Sequence, residues 1–252
     1  MSSNRVKVGI VGLGRWAKVL TRAARTSNAL EIVQGFSRSE ESRASFEKEF
    51  GVKSAPSLEA LLGNPEIKGV ILTVPNEQHL PLARDVAKAG KHVYTEKPIA
   101  STLEEGLAIE ALEKTYGVSV TVGHSARLMA GIRAMGKAIE AGELGRVGFM
   151  EANFSNERAL ELTPKAWRWY KDRAPGGPLS QLAIHQFDVL HYLGGEIVDQ
   201  ELRRAVVVAD DVGLAAGLRD VLRGDGDARG LLGGGVVGGE RAHRCFTPSL
   251  LV

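Results

Sequence analysis

The sequence predicts an α/β chain, with a doubly wound parallel sheet in its first half and an incomplete α/β second domain on an open sheet after it. Three observations predict this. Short β-branched runs alternate with longer helical patterns from residue 6 to about 122; glycines stand at the helix ends; and the pattern changes near residue 124.

The runs 6–11, 31–36, 69–73, 91–94 and 118–122 read as buried strands. Between them, 15–27, 39–50, 76–89 and 101–115 space their apolar residues at helical intervals, and Gly51, Gly90 and Gly117 stand where helices should stop. Strands joined by helices run parallel, and helices on both faces make the sheet doubly wound. A further helix is expected around 126–142. An alternating run over 146–156 then starts a second sheet, and a helical pattern covers 179–193. The expected division is 1–123 for the first domain, 124–202 for a partial second domain and 203–252 for a tail of different character.

From residue 203 Gly, Ala, Val, Leu, Arg and Asp dominate, while Lys, Ile, Asn, Gln, Met, Tyr and Trp are absent. The stretch 224–239 is expected to be loose, because its glycines are costly to order and supply no side-chain area. Its composition suggests a shifted reading frame, and so a chain truncated relative to its native form.

The formal net charge of +2 is too small for binding built on phosphate neutralisation, so no nucleic-acid partner is expected. Met1-Ser2-Ser3-Asn4-Arg5 leads straight into a strand pattern, which leaves no room for a signal peptide. No apolar stretch approaches the roughly 20 residues that cross a bilayer, and the single cysteine, Cys245, has no internal partner. A cytoplasmic protein without membrane contact is expected.

Gly12-Leu13-Gly14-Arg15-Trp16-Ala17 follows a strand and opens a helix, the context that a Gly-x-Gly-x-x-Gly/Ala dinucleotide fingerprint requires. Gly12 makes the tight turn, Gly14 lets the backbone approach a pyrophosphate, and Ala17 keeps helix and strand close. The free N–H groups of the helix start, from Arg15 and Trp16 onward, bind the anion. A bare tight turn is the competing reading. At the end of the second strand, Gly35-Phe36-Ser37-Arg38-Ser39 has no carboxylate to repel a 2′-phosphate, and Arg38 with Ser37 or Ser39 could bind one. NADP is therefore preferred to NAD, against the plainer reading of Arg38 as a solvated residue.

Thr73-Val74-Pro75-Asn76-Glu77-Gln78-His79 follows the strand at 69–73, on the edge where such sheets place ligands; Thr73, Pro75, Asn76 and His79 are candidates to line a cofactor groove. For His79 a helix-surface histidine satisfied by water is preferred to a catalytic one. Glu96-Lys97-Pro98 ends the strand at 91–94 on the same edge.

These motifs, with Gly123-His124, Trp167-Arg168 and the run from Gly176 to Asp188, give the chain an order and spacing that resemble the family of glucose-fructose oxidoreductase and inositol dehydrogenase. The resemblance runs over roughly the first four-fifths of the chain. It implies an NAD(P)-dependent enzyme acting on sugars or cyclic polyols, with a Rossmann domain followed by an α/β domain on a large open sheet. It also implies catalysis by the lysine of Glu-Lys-Pro with an aspartate and a histidine one helical turn apart. The matching positions are Lys97, Gln181 and His185, so the aspartate is replaced by glutamine. Glu96 and Lys97 would also touch cofactor; Lys97, His124, Arg127, Trp167, Arg168, Gln181 and His185 would line the substrate site. No residue is assigned to a metal.

Oxidising a carbinol requires loss of its O–H proton as hydride leaves carbon. His185 is the natural base because its ordinary pKa lies near neutrality, and Lys97 donates to the developing oxyanion. Gln181 cannot share that work and leaves His185 less basic than a carboxylate would, though its amide can bind a hydroxyl. Without the resemblance, His185 reads as a core histidine with Asp188 and His191 as surface neighbours. Trp167, Trp169 and Tyr170 could form a sugar-stacking wall or simply pack. The alternatives to an enzyme are a cofactor-binding sensor or regulatory protein without turnover, and an inactive truncated product. A homo-oligomer of the family type would lack part of the sheet that builds its interface.

Overall fold

A computed structural model describes residues 5–154 and 162–195, which fall into two compact units, one running to Gly123 and the other starting at His124. The expected tail from 203, the glycine-rich 224–239 and Cys245 lie outside the described residues.

The first unit is a six-stranded parallel sheet: β1 (Val6–Val11), β2 (Leu30–Phe36), β3 (Lys53–Ser54), β4 (Gly69–Leu72), β5 (His92–Thr95) and β6 (Val120–Val122). Their spatial order is β3-β2-β1-β4-β5-β6, and every adjacent pair is parallel. Alternate residues of β1 serve different cores. Val8 and Ile10 pack with Ala17, Phe46 and Phe50, while Val11 packs with Leu61, Leu72 and Val93. Burial on both faces is why the strand reads as one apolar run rather than as an alternation.

The helices are α1 (Arg15–Thr26), α2 (Glu40–Phe50), α3 (Leu58–Leu62), α4 (His79–Lys88) and α5 (Leu103–Tyr116). The ends follow local chemistry. Ser39 caps α2 by accepting from the Ser42 N–H at 3.2 Å, Thr102 caps α5 through the Glu105 N–H at 3.2 Å, and Gly51 and Gly117 close the two helices with φ of 63° and 66°. β3 and α3 escape sequence reading because two and five residues are too few to show a period.

The second unit contributes α6 (Ala130–Glu140) and α7 (Ile184–Gly194), each preceded by a differently wound turn, 3-10 at Ser125–Leu128 and π at Leu179–Ala183. The strand expected over 146–156 is not formed over 146–154, the part of it that is described. Alternation alone does not make a strand, since the backbone groups need a neighbouring strand to bond, and Phe149 of that run stands 82% exposed. Among the described residues no helix is long and apolar enough to cross a membrane.

Candidate active site

The parallel register aligns the ends of five strands. Phe36, Val11, Leu72, Thr95 and Val122 form one row, and the ladder continues a residue further: Gly12 donates to Phe36 O (2.9 Å), Thr73 to Val11 O (2.9 Å), Glu96 to Leu72 O (3.1 Å) and Gly123 to Thr95 O (2.8 Å). The sequence motifs are thus the first residues past the strands, side by side along the carboxyl edge. The strand order reverses between β1 and β4, and a crevice at such a reversal is where doubly wound sheets take ligands.

Gly12 and Thr73 meet at that reversal. Gly12 has φ of +90°, and a Cβ there would stand 2.7 Å from the Thr73 carbonyl oxygen, while the Thr73 hydroxyl donates to Gly12 O at 2.5 Å. Any side chain at Gly12 therefore collides with backbone. Gly14 differs: a Cβ would meet nothing within 4 Å. It is the N-cap of α1, whose start has no side-chain cap and no acidic residue in its first turn. Uncapped N–H groups, the positive end of the helix and open space before Gly14 fit a dinucleotide pyrophosphate. Ala17 is wholly buried among Val8, Ile10 and Leu13, as close helix–strand packing requires.

At the end of β2, Arg38 is exposed and Ser37 half-buried, but Ser39 is occupied as the cap of α2. A residue missed in the sequence orders this loop. Arg43 donates through Nη1 to the carbonyls of Ser37 (2.5 Å) and Arg38 (3.2 Å). Two guanidinium groups flank the loop, with Glu40 and Glu41 following in the first turn of α2. Arg43 lies seven residues past the strand end, too far for a strand-end motif to reach it.

Glu96 is buried, and burial pushes its carboxyl above the ordinary range against hydrogen bonds from the Trp16 indole, the Lys97 N–H (3.4 Å) and the Tyr94 hydroxyl (3.3 Å). Burial and the neighbouring Glu96 push the Tyr94 phenol up in turn. Trp16, on the first turn of α1, is thereby tied to the Lys97 turn. Lys97 itself is half-buried and precedes a cis peptide to Pro98. Gly123 closes this corner, since a Cβ there would come within 2.6 Å of the Tyr94 hydroxyl and 2.8 Å of Glu96 Oε1.

Asn76 is buried, and its Nδ2 has no protein partner, a donor that a ligand could use. His79 is fully buried, which corrects its reading as a helix-surface histidine satisfied by water. Its Nδ1 lies 3.0 Å from Pro98 O and 3.2 Å from Ile99 O, and its Nε2 lies 3.1 Å from Val74 O. Sequence position on a helix start shows no face, and here that helix start faces inward.

In the second unit His185 sits in the first turn of α7, half-buried, with the Phe154 ring edge-on at 6.2 Å. Gln181 is buried in the preceding π turn, one turn away, and its Oε1 accepts from Arg168 Nε at 3.4 Å. The Arg168 guanidinium lies over the Trp167 ring at 4.3 Å, Arg173 lies over Tyr170 at 5.3 Å, and Trp169 is exposed. The Trp167 and Tyr170 rings each thus bear a cation on one face. Asp188, a surface neighbour in the alternative reading of His185 as a core histidine, is buried and bound by Arg127 through both oxygens, Nε to Oδ2 at 2.8 Å and Nη2 to Oδ1, with His124 Nδ1 3.7 Å from Oδ1. Its acidity gave no hint of burial, because the cation that permits it is 61 residues away. Arg127 therefore ties the Ser125–Leu128 turn to α7.

Residues 6–124 match the family model described as an oxidoreductase family with an NAD-binding Rossmann fold, and residues 132–233 match the GFO/IDH/MocA C-terminal domain. The chain belongs to the GFO/IDH/MocA oxidoreductase family. The second match runs beyond residue 202, into the segment of changed composition. The 1,5-anhydro-D-fructose reductase of Ensifer adhaerens is 29% identical over 86% of this chain and 64% of its own. A Desulfitobacterium hafniense DCB-2 structure, provisionally named an NADPH-dependent oxidoreductase, superposes with a TM-score of 0.74 at 42% identity over 77% of this chain and 56% of its own. A levoglucosan dehydrogenase in complex with NADH and levoglucosan gives a TM-score of 0.68 at 28% identity, over 77% of this chain and 55% of its own. The chain thus spans between about half and two-thirds of the length of these GFO/IDH/MocA relatives.

Proposed function

We propose that this GFO/IDH/MocA chain is a nicotinamide-dependent oxidoreductase acting on a CH–OH group of a sugar, sugar derivative or cyclic polyol, with NADP preferred to NAD. The observation that carries the reading is the row of Gly12, Thr73 and Glu96-Lys97 along one sheet edge, at the strand-order reversal and beside an uncapped helix start. The dinucleotide, when bound, supplies the hydride chemistry. Arg15 and Trp16 N–H groups receive the pyrophosphate past Gly12 and Gly14, and Thr73, Pro75, Asn76 and Glu96 line its path. Ser37 and Arg38, on a loop ordered by Arg43, take a 2′-phosphate where no strand-end carboxylate repels it.

In this reading Lys97 donates to the oxygen whose charge grows as the carbinol becomes a carbonyl, and His185 accepts the hydroxyl proton. Gln181 binds a neighbouring hydroxyl without taking a proton, and Trp167, Arg168, His124 and Arg127 shape the rest of the substrate site. The names of the relatives, a levoglucosan dehydrogenase and a 1,5-anhydro-D-fructose reductase, support a sugar-type substrate. Residues 1–123 serve the cofactor and contribute Lys97 to the chemistry, and the residues from 124 serve the substrate.

The test is calorimetric titration with NADP and NAD, followed by nicotinamide absorbance with a panel of sugars and polyols. Expected are tighter binding of NADP and turnover strongly reduced, to a measurable residual rate, in Lys97→Met with cofactor binding intact. Cofactor binding without turnover on any alcohol would instead favour a cofactor-binding sensor, the reading that Gln181 in place of an acid supports. Where turnover is found, sedimentation tells whether a homo-oligomer performs it.

A further inference from the structure

His79 opens α4 and is wholly enclosed in the first unit, so its ring has no path to a substrate. Its two nitrogens nonetheless meet polar groups on both sides. Nδ1 faces Pro98 O (3.0 Å) and Ile99 O (3.2 Å), and Nε2 faces Val74 O (3.1 Å). These carbonyls belong to two segments that leave the sheet beside each other, one after β4 and one after β5. The second segment begins one residue past Lys97. The first runs into Pro75 and Asn76, whose buried amide lacks a protein partner.

We propose that His79 is a positioning residue for Lys97, donating from Nδ1 to the Pro98–Ile99 carbonyls while its ring packs against the Val74 carbonyl, and so setting the Glu96-Lys97-Pro98 turn against the Val74-Pro75-Asn76 turn. This rests on the reading of Lys97 as the group that donates to the substrate oxygen. A carbonyl anchored one residue after Lys97 restricts where its backbone, and hence its ammonium, can stand. A packing role alone would be met by any apolar side chain of similar size, and it gives no reason for three carbonyl oxygens to converge on the ring. A neutral imidazole donates from one nitrogen only, and with the proton on Nδ1 that bond goes to the segment that follows Lys97. Asparagine or glutamine can keep one such bond; leucine keeps none.

The test compares His79→Leu and His79→Gln with the parent protein by competitive acetylation of lysine amines, read by mass spectrometry, with the exposed Lys53 and Lys88 as internal references. In His79→Leu the relative rate at Lys97 is expected to change by about threefold or more, while the references hold. His79→Gln is expected to recover part of the difference. An unchanged Lys97 rate in a folded His79→Leu overturns the proposal. Where His79→Leu does not fold, His79→Met, which likewise donates to neither segment, carries the test, and an unchanged Lys97 rate there overturns it equally.

With turnover in hand, kcat should fall by about ten- to a hundredfold at nearly constant KM and cofactor affinity, as small misplacements of catalytic groups cost. That loss should vanish in a Lys97→Met background, because the effect passes through Lys97. An equal fractional loss of residual activity with and without Lys97 overturns the proposal. Absence of turnover in the parent protein counts against the dehydrogenase reading alone, since the acetylation rates still report on Lys97.

Discussion

The carboxyl edge of the first unit and the His185 region of the second are built by different means. Along the edge, Gly12, Thr73, Glu96 and Gly123 are placed by the backbone, each held by the ladder bond that follows its strand. Around His185, placement depends on side chains: Arg127 on Asp188, and Arg168 between Trp167 and Gln181. A backbone-built edge tolerates many side chains but few backbone changes. A side-chain-built site depends on particular pairs and fails when one partner is lost.

The two glycines of the edge break the comparison most sharply. Gly12→Val should cost more than about 4 kcal/mol in urea unfolding, because the new Cβ meets the Thr73 carbonyl oxygen and φ is positive. Gly14→Ala should leave stability within about 0.5 kcal/mol. It should still weaken cofactor binding by about tenfold or more in calorimetry, since the methyl enters the space that fits the pyrophosphate. Weakened stability in Gly14→Ala would mean that packing, and not a ligand, demands this glycine.

Next in size, Arg127→Met should destabilise the chain by about 3 kcal/mol, because it strands the buried Asp188 carboxylate, and Arg127→Met with Asp188→Leu should recover most of that. A denaturation series on the single and double variants measures it. Arg38→Ala and Arg43→Ala should each weaken NADP by about tenfold with little effect on NAD, a loss near 1.4 kcal/mol seen by titration. Equal losses for both cofactors would remove the 2′-phosphate from the reading.

The smallest effect is a pH dependence. Burial holds the His79 imidazole below its ordinary pKa of 6.5, against the pull of the Ile99, Val74 and Pro98 carbonyls and of Glu105. The unfolded chain therefore binds the proton first, so this contribution to stability is present above about pH 6.5 and is lost as pH falls toward the depressed folded value. The Tm should drop more steeply between pH 7 and 5 in the parent protein than in His79→Gln. Equal slopes would place the acid sensitivity elsewhere.

Most of the first unit was legible because its signals are local and repeated. Buried parallel strands read as apolar runs, and Gly51 and Gly117 mark helix ends by their own backbone chemistry. The second unit was less legible. The run 146–154 alternates without forming a strand, and Asp188 gave no sign of its partner. Pairing is a property of two segments, and one segment cannot display it.

Read alone, the residues from 6 to 123 specify a doubly wound sheet and put a glycine turn and a lysine turn at strand ends, because strand and helix periods and turn chemistry act over a few neighbours. They leave open which strand ends adjoin. The ladder register settles that, aligning Val11, Leu72 and Thr95 so that Gly12, Thr73 and Glu96 become neighbours. It also turns His79 inward onto carbonyls of two loops and brings Arg43 beneath the loop at Ser37. These contacts join residues distant in sequence, and only the packing of the folded chain brings their atoms within hydrogen-bond reach.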